Sequence, residues 1–378
     1  MSAARSAYRR SGVDVDAGDR AVDLMRERVG RTHGAAEVLI GLGGFAAAVA
    51  LPAGLRSPVL VSATDGVGTK TAIAAAMRRY DTIGRDLVAM CADDVVCQGA
   101  RPLFFLDYVA VGRVDPVDVA ELVGGVAAGC ELAGCALVGG ETAEHPSLMR
   151  PDEFDLAGFC VGVVERDELL DGSAARAGDA LIGMAASGLH ANGYSLVRAL
   201  LADHDLALDR PYLDVVGRVL GEAQVARVAA DEPEHLLATL GDVLLTPTRI
   251  YALDALALRD ALAAAGTPLR SLAHVTGGGL AGNVPRALPA DSGARVDPDA
   301  WPVPSVIQVV DALAGIDGPE ARATLNGGIG MVAVVPAEAA DLAIATLAGR
   351  GLPAWRIGEV VPAGILRGAR YAETGADA

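Results

Sequence analysis

Residues 59–71, VLVSATDGVGTKT, constrain this chain more than any other stretch. The apolar, branched start from Val59 predicts a buried strand. The run then stops in a loop punctuated by Gly66 and Gly68, whose backbone amides stay open to close approach by an anion. The loop carries one carboxylate, Asp65, and one ammonium, Lys70, the only lysine in 378 residues. Every other non-histidine cation is arginine. A lysine supplies a compact point charge, which suits a phosphate where the planar arginine fork does not fit. Asp65 is placed to hold magnesium, a hard cation that takes carboxylate and phosphate oxygens. A plain strand and turn would not require acid, glycines and lone lysine to coincide. The pattern is not a Walker A loop, because Thr69 rather than glycine precedes the lysine.

The length predicts two domains. Hydrophobic residues are 52% and charged residues 21%, enough to build sizeable cores. The net charge of −17 disfavours nucleic acid and anionic membranes as partners. Cys91, Cys97, Cys130, Cys135 and Cys160 form no C-x-x-C pair, which argues against zinc and for small buried thiols in a reducing compartment. The first twenty residues lack the apolar stretch of a signal peptide, and Phe45–Leu55 is too short to span a membrane. A cytoplasmic protein is expected.

In the first half, residues 14–33 read as a helix, followed by the glycine cluster IGLGGF (Ile40–Phe45), whose simplest reading is a tight turn. A short helix should follow Lys70, and Thr82–Gln98 a second. Along that second helix Asp94 falls inside the apolar stripe of Leu87, Cys91 and Val95, and Asp93 outside it. An inward acid needs a partner or a metal. Asp94 is therefore the second metal candidate and Asp93 the solvated neighbour, a buried arginine pair being the alternative. Pro102–Val111 reads as a strand. Asp115–Ala133 is a helix with Asp115 as cap and Pro116 at its first position. Cys135–Val138 is a short buried strand running into GGETAE, whose glycines precede Glu141, Thr142 and Glu144 at the strand end. Asp155–Glu165 is the last strand of this half. This order predicts an α+β sheet with helices on one face.

The charged segment around Glu165–Asp179 marks a boundary, giving domains at 1–170 and 171–378. Beyond it, a strand at Ala180–Met184 leads to Ser187, Gly188, His190 and Asn192 ahead of a helix from about Ser195, a polar cluster suited to an anion. Thr246–Ala264 reads as one amphipathic helix. The strand Ser271–Thr276 runs into Gly277, Gly278 and Gly279, which suit a phosphate-binding turn. Asn326–Met331 repeats the device before a strand through Val335. Trp355–Val361 is the final strand, with loose residues after it.

Assembled in order, YRRSGVDVDAG, GLGGF, DGVGTK, DTIGRDLVAMCADD, PLFFLDY, LVGGETAE, AGFCVGVVE, SGLHANGYSLVR, TPTRIY, HVTGGGLAGNVPR, NGGIGM and WRIGEV resemble the phosphoribosylformylglycinamidine cyclo-ligase (aminoimidazole ribonucleotide synthetase) family over nearly the whole chain. The resemblance implies an N-terminal ATP-binding domain whose mixed sheet pairs across a homodimer, and a C-terminal α/β sandwich that binds the ribonucleotide. It implies conversion of formylglycinamidine ribonucleotide and ATP to aminoimidazole ribonucleotide, ADP and phosphate. By motif, Asp65 and Asp94 are similar to the magnesium carboxylates and Lys70 to the phosphate contact. Gly43 and Gly44 look like the nucleotide cover, with Gly66, Gly68, Thr69, Glu141 and Thr142 completing the ATP site. Ser187, His190, Asn192, Gly277, Gly278, Gly279 and Asn326 are expected at the ribonucleotide, and His190 is the candidate acceptor for the proton lost at ring closure. The chain departs from the family pattern at Asp93, Ala191 and Gly327, and none of these removes a charge the chemistry needs. Related ATP users remain as alternatives. A formylglycinamidine ribonucleotide synthetase would bring an ammonia-producing domain or partner, and a selenophosphate synthetase an early reactive cysteine.

Overall fold

The computed structural model describes residues 14–43 and 46–374. Gly44 and the opening YRRSG lie outside them. The chain forms two compact units, one running through Val96 and resuming at Ala100–Glu168, the other Cys97–Gly99 with Leu169 onward.

The first unit opens with helix α1 (Val15–Thr32), capped by Asp14, whose carboxylate accepts from the Ala17 amide. Its buried stripe of Ala21, Met25, Val29 and Thr32 recurs at helical spacing. A small ribbon, β1 (Val38–Ile40) and β2 (Ala48–Val49), holds the glycine loop. There follow β3 (Pro58–Gly66), α2 (Lys70–Met77), α3 (Ile83–Cys97), β4 (Arg101–Val111), α4 (Pro116–Ala133), β5 (Ala136–Glu144) and β6 (Phe154–Glu165). The four-stranded sheet runs β3-β6-β4-β5, antiparallel except for the parallel β4–β5 pair. Helix α3 lies so close to β6 that an added Cβ at Gly158 would stand 3.1 Å from the Cys91 sulfur, and one at Gly162 2.5 Å from a Val95 methyl. Helix α4 starts as its sequence dictates, with Asp115 accepting from the amides of Val117 and Asp118, and ends on Gly134 at φ 71°.

Two expectations change here. Strand β3 is not buried: it is a sheet edge with alternating exposure, because the apolar face it presents away from the helices has no cover among the described residues. Leu60 on β3 is 61% exposed and Phe159 on β6 45%. Strand β5 does not end at Val138; it continues through GGETAE because β4 supplies a ladder partner for each of these residues, Asp107 opposite Gly140 and Tyr108 opposite Glu141.

The second unit is a six-stranded sheet ordered β12-β9-β11-β7-β10-β8, with β7 (Ala180–Ala185), β8 (Ser271–His274), β9 (Ser292–Val296), β10 (Ile329–Val335), β11 (Ala354–Pro362) and β12 (Tyr371–Glu373). Every residue of β10 is buried, so both faces of the sheet are covered. One core gathers Leu181, Val332, Val334, Ile357 and Val360 with Leu280, Val284 and Trp301. Helices α5 (Tyr194–Asp203), α6 (Tyr212–Leu220), α7 (Glu222–Asp231), α8 (Leu240–Leu244), α9 (Ala252–Ala264), α10 (Gly279–Asn283), α11 (Ser305–Ala314), α12 (Gly318–Thr324) and α13 (Ala340–Ala348) connect the strands. The helix expected from Thr246 starts only at Ala252. Pro247 and the clamp on its carbonyl, which accepts from the Ser187 hydroxyl at 2.7 Å, keep TPTRIY out of the helix. The chain end is not loose as far as Glu373: β12 pairs in parallel with β9, and the buried Glu373 carboxylate takes two hydrogen bonds from Arg322, at 2.9 and 2.6 Å.

Candidate functional site

In the first unit Asp65, Gly66, Gly68, Thr69 and Lys70 lie where β3 runs into α2. Gly68 takes φ 69°, a left-handed turn that side chains resist, and its carbonyl accepts from the Thr71 hydroxyl at 3.0 Å. Helix α2 begins two residues later at Lys70, with Thr69 as its cap residue. The Asp65 carboxylate is exposed and accepts from the Gly66 amide at 2.7 Å. Asp94, from α3, is half-buried. Cys91 ties the two together. Burial pushes its thiol pKa up, and the negative charges of Asp65 and Asp94 push it further, so both carboxylates lie within electrostatic reach of one sulfur. All five cysteines are buried and free.

Asp93 departs from its expected place. It is fully buried rather than solvated. The sequence places one apolar stripe on α3, but Leu87–Asp93 and Val95–Cys97 are all buried, so burial reaches well beyond that stripe.

Lys70 is also placed unlike a solvent-facing phosphate contact. Its ammonium donates to Asp86 Oδ1 at 2.8 Å, and neither side chain has any exposure. Burial pulls the lysine pKa below its usual value, and the Asp86 charge opposes that pull. Asp86 was not singled out in the sequence; its signal was an acid in the first turn of a helix that is apolar from Leu87 to Ala92.

Gly43 is exposed at φ 100° in the loop between β1 and β2. Glu141 and Thr142 sit on β5. Glu141 shares a ladder row with Tyr108, Ala157 and Gly66, one residue on from the row of Asp65, so it alternates to the other face of the sheet. The row of Asp65 reads Asp65, Gly158, Asp107, Gly140 across the four strands. Among the described residues no three carboxylate, thiol or imidazole side chains cluster as a ready-made metal cage. Two carboxylates suit magnesium carried by a nucleotide, which takes one or two protein carboxylates and completes its shell with phosphate oxygens and water.

The second unit brings its predicted residues together. Asn326 is buried, donates to the Gly188 carbonyl at 2.8 Å and accepts from the Gly328 amide at 2.9 Å, which locks the NGG turn to the SGLH loop. A Cβ at Gly277 would have the Asn192 side-chain oxygen as its nearest neighbour, at 3.8 Å. Asn283 closes the triple-glycine turn by donating to the carbonyls of Gly277 and Gly279, at 3.1 and 2.9 Å. Ser187 is exposed, and its hydroxyl also accepts from the Arg249 amide at 3.0 Å. His190 is 2% exposed at φ 62°, and its Nε2 accepts from the Ser187 amide at 3.1 Å. That hydrogen bond ties the ring to the start of the loop. Tyr251, which sequence reasoning passed over, tilts against this ring at 6.1 Å and donates to the Ala185 carbonyl at 2.7 Å.

Residues 45–164 match the family described as AIR synthase related protein, N-terminal domain, and residues 176–369 match its C-terminal domain. The solved structures with this fold include thiamine-monophosphate kinase from Stenotrophomonas maltophilia K279a, with TM-score 0.62 at 19% identity, covering 95% of this chain and 97% of that one. The hydrogenase maturation protein HypE of E. coli gives 0.59 at 19% identity, covering 93% and 94%. A HypE solved in complex with ATP gives 0.55 at 20% identity, covering 88% and 85%. These likenesses define the fold class. Among named proteins, the phosphoribosylformylglycinamidine cyclo-ligase of Sorangium cellulosum (strain So ce56) is 50% identical over 94% of this chain and 96% of its own length. That of Gloeobacter violaceus (strain ATCC 29082 / PCC 7421) is 48% identical over 95% and 99%. The chain belongs to the phosphoribosylformylglycinamidine cyclo-ligase family.

Proposed function

We propose that this chain closes the imidazole ring of purine biosynthesis, converting formylglycinamidine ribonucleotide and ATP to aminoimidazole ribonucleotide, ADP and phosphate. An amide oxygen is a poor leaving group. Transfer of the γ-phosphoryl group to that oxygen releases ADP and leaves an iminophosphate. The neighbouring amine attacks the carbon, loses a proton, and phosphate departs with the former amide oxygen. The protein's part is positioning and charge neutralisation.

The observation that carries the reading is that Asp65 lies opposite Gly158 on the sheet, that Gly158 abuts Cys91, and that Asp94 follows Cys91 by three residues on α3. These two carboxylates would hold magnesium on the triphosphate, and the ion when bound would spread the charge of the transferring phosphoryl group. The amides of Gly68 and Thr69 would meet the phosphates at the helix start, while the Gly66 amide holds the Asp65 carboxylate in place. Lys70 acts from beneath, holding α2 to α3 through Asp86 and contributing its field. Gly43 and Gly44 cover the nucleotide, with Glu141 and Thr142 at the neighbouring strand. In the second unit Ser187, Asn192, Gly277, Gly278 and Asn326 bind the ribonucleotide, while Gly279 shapes its turn and His190 keeps the loop in register. The half-exposed sheet face around Leu60 and Phe159 supports a homodimer through the first unit. The protein works in the cytoplasm, its strong negative charge keeping it from nucleic acid. Incubating the purified protein with ATP, magnesium and formylglycinamidine ribonucleotide should yield aminoimidazole ribonucleotide in a colour test for arylamines. No product under these conditions would reject the reading.

A further inference from the structure

A cavity of about 350 Å³ opens in the first unit between the C-terminal half of α2, the start of α4 and the ends of β4 and β6. Its lining shares no residue with the nucleotide or ribonucleotide residues named above. Part of the wall is apolar and well packed, with Val111, Val119, Leu122 and Phe154 all buried. Tyr80 lines the cavity too, its ring edge-on to Phe154 at 5.6 Å. That side chain is only 7% exposed, yet its hydroxyl has no hydrogen-bond partner among the described residues. A buried phenol normally finds one. Burial raises the Tyr80 pKa, and the charges of Asp118, Asp115 and Asp152 raise it further against the pull of Arg78. Three acids from two separate segments thus lie within electrostatic reach of one hydroxyl. Asp115 is engaged at the start of α4, where its Oδ1 accepts from the amides of Val117 and Asp118. Asp118 is half-buried, and its side chain pairs with the exposed Arg78 guanidinium at 3.4 Å, a weak arrangement. Arg113 also lines the cavity; it is exposed, enters no hydrogen bond or ion pair among the described residues, and its charge reaches Asp118.

We infer that this cavity binds a free α-amino acid with an apolar side chain. The ammonium group is met by the Tyr80 oxygen and the Asp118 carboxylate, which supply acceptors in an acidic field. The carboxylate is met by the Arg113 guanidinium, a planar donor fork that suits it. The side chain lies against the apolar wall, where it loses water. A ligand with only a negative charge would be repelled by the three acids, and one with only a positive charge would leave Arg113 unmatched. Among the described residues no three acids, thiols or imidazoles gather as a metal site, so a bare metal ion is not the occupant. Pockets for drug-sized ligands run to roughly 300–1,000 Å³, so this cavity, near the lower limit, suits a small metabolite and not a whole nucleotide. The inference does not rest on the ATP reading.

The test is calorimetry on the full-length protein with L-leucine, L-methionine and L-phenylalanine, titrated singly. At least one should bind saturably. The tightest is then compared with its deaminated acid and its decarboxylated amine, each of which should bind at least about tenfold more weakly, the value of one charge-assisted hydrogen bond. Arg113→Gln, at an exposed position that leaves the core untouched, should weaken the amino acid about tenfold and leave the decarboxylated amine unchanged. Tyr80→Phe, which keeps the ring against Phe154, should weaken both by about fivefold. Saturating ATP with magnesium should leave the amino acid bound. The inference is overturned if none of the three amino acids binds, if the deaminated acid binds equally well, if both substitutions leave the affinity unchanged, or if ATP with magnesium displaces the amino acid.

Discussion

Replacing Lys70 separates a structural ion pair from a catalytic cation. The ammonium and the Asp86 carboxylate are 2.8 Å apart and fully buried. An exposed pair is worth at most about 1 kcal/mol. Breaking a buried pair from one side costs about 3–5 kcal/mol, because the remaining charge stays in a low-dielectric site. Lys70→Met should therefore lower the stability of the first unit by that amount, a large share of the roughly 5–15 kcal/mol that holds a domain folded. The double variant Lys70→Met/Asp86→Leu removes both charges at similar volume and should recover to within about 1–2 kcal/mol of the parent. Urea unfolding followed by far-ultraviolet circular dichroism is the suitable assay. Tryptophan fluorescence is not, because Trp301 and Trp355 both belong to the second unit. A single-variant cost below 1 kcal/mol, or a double variant as unstable as the sum of its parts, would refute the buried-pair argument. Turnover of the refolded double variant then assigns the cation. Restored activity means that Lys70 only supports the loop, and continued loss means that its charge acts on the phosphates.

Asp94→Asn should lose magnesium-dependent ATP affinity by at least tenfold in calorimetry with the fold intact, whereas Asp93→Asn, at a fully buried position, should lower thermal stability first; the reverse pattern would exchange their roles. The Asp107 carboxyl titrates at about 7 in the fold against 3.8 for a free aspartate, because burial disfavours its charge. The folded state thus keeps a proton that the unfolded chain releases above pH 4. Its contribution is most favourable below pH 4 and falls by roughly 4 kcal/mol as pH rises to 7. Stability curves of the parent and Asp107→Asn should therefore converge towards low pH and separate in favour of the variant as pH rises, and parallel curves would contradict the burial. Phe159→Asp, on the exposed sheet face, should convert a dimer to a monomer in sedimentation; an unchanged sedimentation coefficient would move the interface elsewhere.

Sequence alone determined what local chemistry controls. Asp115, Pro116 and Gly134 delimit α4 because a cap, a fixed φ and a left-handed residue act within one turn. The glycine turns at Gly68, Gly278 and Gly327 lie at positive φ, where glycine is the residue that fits without strain. The order of motifs sufficed to identify the family. Only the tertiary structure decided which acids face inward. Asp93 is buried because α3 is covered well beyond its apolar stripe, and a helical wheel carries no information about a second or third packing neighbour. The partnership of Lys70 with Asp86, the continuation of β5 through two glycines and the return of β12 to the sheet each depend on a residue distant in sequence. Such pairings are set by register and by what the rest of the chain leaves uncovered, and no window of neighbouring residues contains either.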